Sequence, residues 1–168
     1  VPTLAEELQE LGYSTGAFIA ALPLSARFGL DRGFDRYDEE LPTPSQDMFH
    51  FRERPAPDVV RAALSWVDEV GSGDPVFLWA HFFEPHKPYR PPPPYDQRFA
   101  GRPYDGEVAA ADASVGHLLE GLAQRGIVDP LVIVTSDHGE GLGEHGESTH
   151  AMFLYQTTLR VPLVVNWP

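Results

Sequence analysis

Apolar residues recur at two periods along this chain, and the switches between them lay out its elements. Thr3-Leu-Ala-Glu6 is a capping-box pattern, in which hydroxyl and carboxylate satisfy each other's backbone donors at a helix start. Leu4, Leu8 and Leu11 fall on one helical face, and Gly12 stands where the helix stops. Residues 15–21 read as a short buried strand, so the chain opens helix–turn–strand, the rhythm of an α/β fold. Residues 22–57 follow neither period. They predict a surface excursion pinned by Phe28, Phe34 and Tyr37, with His50 solvated. Pro57 and Asp58 open a second helix with a stripe of Val59, Val60, Ala63, Leu64, Val67 and Val70, closed by Gly71. Residues 76–80 are a continuous apolar strand. The prolines at 91–94 exclude helix and central strand and predict a stiff extended loop. A third helix starts near Asp105 and ends at Gly126, its core stripe being Val108, Ala111, Val115, Leu118, Leu119 and Leu122, with His117 beside it. Residues 131–134, Leu-Val-Ile-Val, predict a fully buried strand. Residues 157–166 predict a last strand, with Pro162 near its start.

Two of these strands empty into polar chemistry. The strand at 131–134 runs into Thr135, Ser136, Asp137, His138 and Gly139, and the strand at 76–80 into His81-Phe-Phe-Glu-Pro-His86-Lys-Pro-Tyr89. In an open α/β sheet, ligands bind beyond the carboxyl ends of the strands. Asp137 and His138 can offer hard oxygen and borderline nitrogen to a divalent cation; equally, Asp137 can cap the loop and His138 can be solvated. Glycines at 139, 141, 143 and 146 follow, interleaved with Glu140, Glu144 and Glu147, a composition that lets backbone approach a ligand closely. His145 and His150 are candidates for anion contact.

Composition narrows the class of partner. The 168 residues are 42% apolar, enough for one domain with a real core, and no run is long enough to span a bilayer. A net charge of −13 argues against nucleic acid as a partner, yet leaves an anionic substrate open, because a bound cation reverses the local sign. There is no Cys, hence no disulfide or thiol chemistry within these residues. The opening at Val1, without Met or a signal pattern, predicts that further sequence lies upstream. Compartment is unassigned.

Several stretches in order resemble the catalytic domain of sulfatases, within the alkaline phosphatase superfamily. They are residues 12–35, from Gly12-Tyr13 to Phe28-Gly-Leu-Asp-Arg-Gly-Phe-Asp35, then His81-Phe-Phe-Glu-Pro-His-Lys-Pro-Tyr89, Tyr104-Asp-Gly-Glu107, Ser136-Asp-His-Gly-Glu-Gly-Leu-Gly-Glu-His145 and Arg160-Val-Pro-Leu163. The resemblance implies an incomplete three-layer α/β/α fold with a mixed, mostly parallel sheet, spanning residues 1–168. It implies metal-dependent hydrolysis of sulfate esters, on a small-molecule or sugar sulfate. Asp137 and His138 correspond to metal ligands, for calcium or else manganese, zinc or magnesium. His86 corresponds to a catalytic His near the leaving group. His150 stands where many members carry a Lys that contacts the substrate anion. The family's formylglycine motif and its N-terminal acidic pair match nothing here, and both are expected upstream. Hydrolysis of phosphodiesters or phosphonates, phosphoethanolamine transfer, and a non-catalytic module retaining the fold stand as alternatives.

Overall fold

The computed structural model describes residues 1–41, 53–71, 73–150 and 152–168; His50 lies outside them. The chain forms two compact units, Val1–Gly126 and Ile127–Pro168.

In the first unit the capping box forms. Thr3 Oγ1 accepts the Glu6 N–H at 3.1 Å, and Glu6 Oε2 accepts the Thr3 N–H at 2.7 Å, starting α1 (Leu4–Glu10). The leucine face does not become core: Leu4 and Leu11 are exposed and Ala5 is the buried residue of the helix. Gly33 lies against the backbone of Ala5 and Glu6, and so close an approach selects a small residue over a leucine.

β1 (Ser14–Phe18) is the centre of a parallel sheet ordered β2-β1-β3, with β2 (Arg36–Asp38) and β3 (Val76–Ala80). The register pairs Thr15 with Phe77, and Ala17 with both Trp79 and Tyr37, so these side chains share one face. Phe34 packs there, its ring 5.7 Å from Phe77 and 5.9 Å from Trp79. The other face carries Phe18, covered by Trp66 of α2 (Ala56–Val70), with ring centroids 5.8 Å apart. Val59, Val60, Ala63 and Val67 are buried as their spacing predicts, and Trp66 joins them. Strand β2 was not foreseen. Arg-Tyr-Asp has no apolar run to announce it, and it exists because its backbone completes β1's ladder. Phe34 and Tyr37 anchor this region, whereas Phe28 is 57% exposed under the Arg27 guanidinium.

The prolines at 91–94 are a correction. They turn rather than extend, Pro92 O accepting the Tyr95 N–H at 2.8 Å, and lead into α3 (Tyr95–Arg98). A first helical turn does not need the N–H that proline lacks. The buried line of α4 (Pro103–Gln124) is also displaced: it runs through Gly106, Glu107, Ser114, Leu118, Gly121 and Leu122, while Val108 is exposed.

In the second unit β4 (Val132–Thr135) pairs antiparallel with β5 (Leu163–Asn166). Here the expectation of a fully buried strand fails: Ile133 is 58% exposed and all of β5 is exposed. A run of consecutive apolar residues suits cover on both faces, and two paired strands cannot cover their own faces. Nor is the last segment strand throughout. Residues 156–159 form α5 (Gln156–Leu159), and the ladder begins only after Pro162. Helices around parallel pairs, with one antiparallel pair, make the architecture α/β as expected. No helix among the described residues is long and apolar enough to cross a membrane.

Asp38, at the carboxyl end of β2, faces two guanidinium groups, the exposed one of Arg36 at 3.6 Å and the buried one of Arg54. Asp38 Oδ1 accepts from Arg54 Nη1 at 2.8 Å, with the side chains 5% and 8% exposed. Breaking a buried pair from one side strands a charge. Arg54→Ala is therefore expected to cost about 3–5 kcal/mol, read as a lower denaturant midpoint. A loss under 1 kcal/mol would show that Arg36 or water compensates the Asp38 charge.

Candidate active site

Beyond β4 the chain must turn sharply, and Gly139 lets it. Gly139 N–H donates to Thr158 O at 2.8 Å, and a Cβ at this position would strike the Thr157 carbonyl oxygen and stand 2.8 Å from that of Arg160. The loop after β4 is thereby pressed backbone-to-backbone onto α5. Thr158 holds the other side: its hydroxyl donates within reach of both Phe153 O (3.1 Å) and Tyr155 O (3.0 Å).

This turn gathers three of the residues singled out from the sequence. Asp137 Oδ1 accepts the His138 backbone N–H at 3.0 Å and lies 3.7 Å from His138 Nε2. His138 Nδ1 is 2.7 Å from Gly139 O. A carbonyl can only accept, so Nδ1 carries the proton, and in the neutral ring Nε2 carries the lone pair. A metal-binding His commonly has this arrangement, with one nitrogen anchored on a backbone carbonyl and the other left to the metal. An oxygen and a nitrogen 3.7 Å apart can both reach one cation, since such bonds are about 2.0–2.6 Å long. The two side chains thus fit a divalent ion as adjacent donors. Among the described residues no group of three or more His, Asp or Glu side chains is gathered to hold a metal.

The His150 ring lies 4.0 Å from that of His138. Its Nδ1 stands 3.2 and 3.4 Å from the two oxygens of Glu140, whose side chain is 6% exposed. Nδ1–H therefore donates to the carboxylate. Asp137, His138 and His150, with Phe153, Leu154 and Leu159, line a concavity of about 350 Å³. His145 takes a different place: it is exposed and stacks on Tyr155 at 4.1 Å.

His86 belongs to the first unit. Its ring stacks on Phe83 at 4.2 Å, and Nδ1 donates to Lys87 O at 2.7 Å. Its backbone N–H donates to Glu107 Oε2 at 3.2 Å. Burial raises the Glu107 carboxyl from its ordinary value, against the pull of its bonds from the Arg90 and His86 amides and with the nearby Glu84 and Glu53 adding to the rise. Sequence reasoning had noted Glu107 and Glu140 without giving either a partner. The signal for Glu107 was an acid on the buried side of α4; for Glu140 it was only its nearness to His138.

Gly139→Ala is expected to lose about 1–3 kcal/mol by overpacking, seen as a lower denaturant midpoint at unchanged m-value. Wild-type stability in this variant would mean that the loop can lift off α5.

The sulfatase family model matches residues 1–168. Over 68 residues, 40% of this chain, the sequence is 41% identical to an N-acetylglucosamine-6-O-sulfatase of Bacteroides thetaiotaomicron, of which the match covers 12%. Over 83 residues, 48% of this chain, it is 40% identical to the iduronate 2-sulfatase of Mus musculus, of which 15% is covered. The solved phosphonate monoester hydrolase of Agrobacterium radiobacter superposes on 98% of this chain with a TM-score of 0.72 at 17% identity, a likeness of fold. The chain spans 52% of that structure and the matches span a small part of the curated relatives.

Proposed function

Because the chain belongs to the sulfatase family, we propose that it carries part of the active site of a metal-dependent sulfate-ester hydrolase. One observation carries the reading: Asp137, with a His138 whose Nδ1 is committed to Gly139 O, stands beside His150 at the carboxyl end of β4. Asp137 and His138 would hold a divalent cation, calcium by the family's pattern. When bound, that cation supplies Lewis-acid stabilisation of the ester's non-bridging oxygens.

The chain's own residues do the remaining work. His150, oriented by Glu140 through Nδ1, presents Nε2 to the substrate anion. Glu140 fixes the ring's orientation at a position where many relatives carry a Lys. His86 acts at the leaving oxygen. With Nδ1–H already given to Lys87 O, the imidazolium form donates a second proton through Nε2 as general acid. The family's nucleophile, a formylglycine made from Cys or Ser, matches no motif in these residues. The names of the two curated relatives support a sulfated sugar as substrate. His at positions 138 and 150 favours a second reading, a hydrolase of phosphodiesters or phosphonates or a phosphoethanolamine transferase. Parallel assays of an aryl sulfate and an aryl phosphate diester separate the readings: a preference for the diester would favour the second.

In the intact enzyme, Asp137→Ala is expected to remove activity and bound metal together, because a hard cation loses an anionic ligand. Full occupancy by elemental analysis would contradict the assignment. His86→Ala is expected to lower turnover by about 10²–10⁴-fold. His150→Lys is expected to retain more activity than His150→Ala; equal loss in both would make the position structural.

A further inference from the structure

We infer that Glu107 is the positioning residue for His86, its carboxylate on α4 clamping both ends of the loop that presents the imidazole. The inference rests on the reading of His86 given above. Glu107 is 5% exposed, on the helix line that otherwise buries Gly106, Ser114, Leu118, Gly121 and Leu122. A carboxylate in such a place is unfavourable unless donors meet it, and here each oxygen has one. Oε2 accepts the His86 N–H at 3.2 Å, and Oε1 accepts the Arg90 N–H. The two ends of residues 86–90 are thus tied to one rigid planar group.

Independent contacts seat the same loop on α4. A Cβ on Gly106 would stand 2.8 Å from Pro91 Cγ, so the loop lies directly on the helix backbone. Tyr89 meets Tyr104 edge-on, with centroids 5.4 Å apart at 79°. Phe83 then holds the His86 ring by stacking, and Lys87 O holds its Nδ1. An apolar residue at position 107 would continue the helix stripe at no electrostatic cost. It would leave the two amides without acceptors and the loop without a register. Precise support of this kind is what a proton donor needs, because a displacement of about 1 Å can cost about 10²-fold in rate.

The test compares Glu107→Gln, His86→Ala and the double variant in the intact enzyme, using aryl sulfates whose leaving groups differ in basicity. Glutamine keeps the size but offers one acceptor oxygen instead of two. Glu107→Gln is expected to lower kcat by about 10–10²-fold with little change in KM. The loss is expected to be larger for the more basic leaving group, as for His86→Ala, and the double variant should be no slower than His86→Ala alone. Losses that multiply in the double variant, or a loss indifferent to the leaving group, would overturn the inference. Hydrogen exchange separates its failure from that of the reading beneath it. The clamp predicts protected His86 and Arg90 amides in the wild type, whether or not the Gln variant folds. Unprotected amides would sink the clamp even if His86 proves catalytic. Should His86→Ala leave turnover unchanged, the role of His86 falls, and with it the positioning role of Glu107.

Discussion

A carboxylate withdrawn from water must be met by donors or give up its charge. Three carboxylates in this chain meet that requirement at three levels of structure. Asp38 takes a guanidinium, from Arg54, and secures the end of β2. Glu107 takes two backbone amides and holds the His86 loop on a helix. Glu140 takes an imidazole and turns His150. In each case the acid is largely withdrawn from water, so its geometry is fixed by the partner and not by shape alone. Buried, fully paired polar groups of this kind confer a specific arrangement more than raw stability.

The same economy shapes the loop after β4. Gly139 admits the carbonyls of Thr157 and Arg160 where any side chain would collide, and the Glu140–His150 bond closes residues 140–150. His138 spends one nitrogen on a backbone carbonyl and His150 spends one on Glu140. Both rings are therefore oriented before any ligand arrives, which is the preorganisation that electrostatic catalysis requires. The chain is strongly acidic, with a net charge of −13. An anionic ester near Asp137 and Glu140 is reasonable only if a cation inverts the local field, so the proposed metal site and the proposed anion contact of His150 stand or fall together.

What the sequence made legible follows from local rules. The capping box at Thr3 and Glu6 depends on residues within one turn, and it forms as read. The stripe on α2 survives because one sheet face and one helix face suffice to bury it. The strand-end position of Asp137 and His138 needs only a correct reading of where β4 stops. Other features depend on partners distant in sequence, and no local pattern contains them. Strand β2 exists through its pairing with β1. Trp66 is buried because Phe18 lies across from it. Glu107 lies one turn before Ala111 of the predicted stripe, but the amides of residues 86 and 90 that meet it are distant in sequence. The composition of residues 131–134 predicts burial, but burial belongs to the neighbours, and among the described residues β4 pairs with β5 alone.

The account turns on His138 Nε2 being a metal ligand. The most direct measurement is pulsed paramagnetic resonance on the intact enzyme loaded with manganese(II), a hard cation that accepts oxygen and imidazole donors. The account predicts a ¹⁴N coupling from imidazole that disappears in His138→Ala and persists in His150→Ala. A coupling that survives loss of His138 would contradict the metal site drawn here.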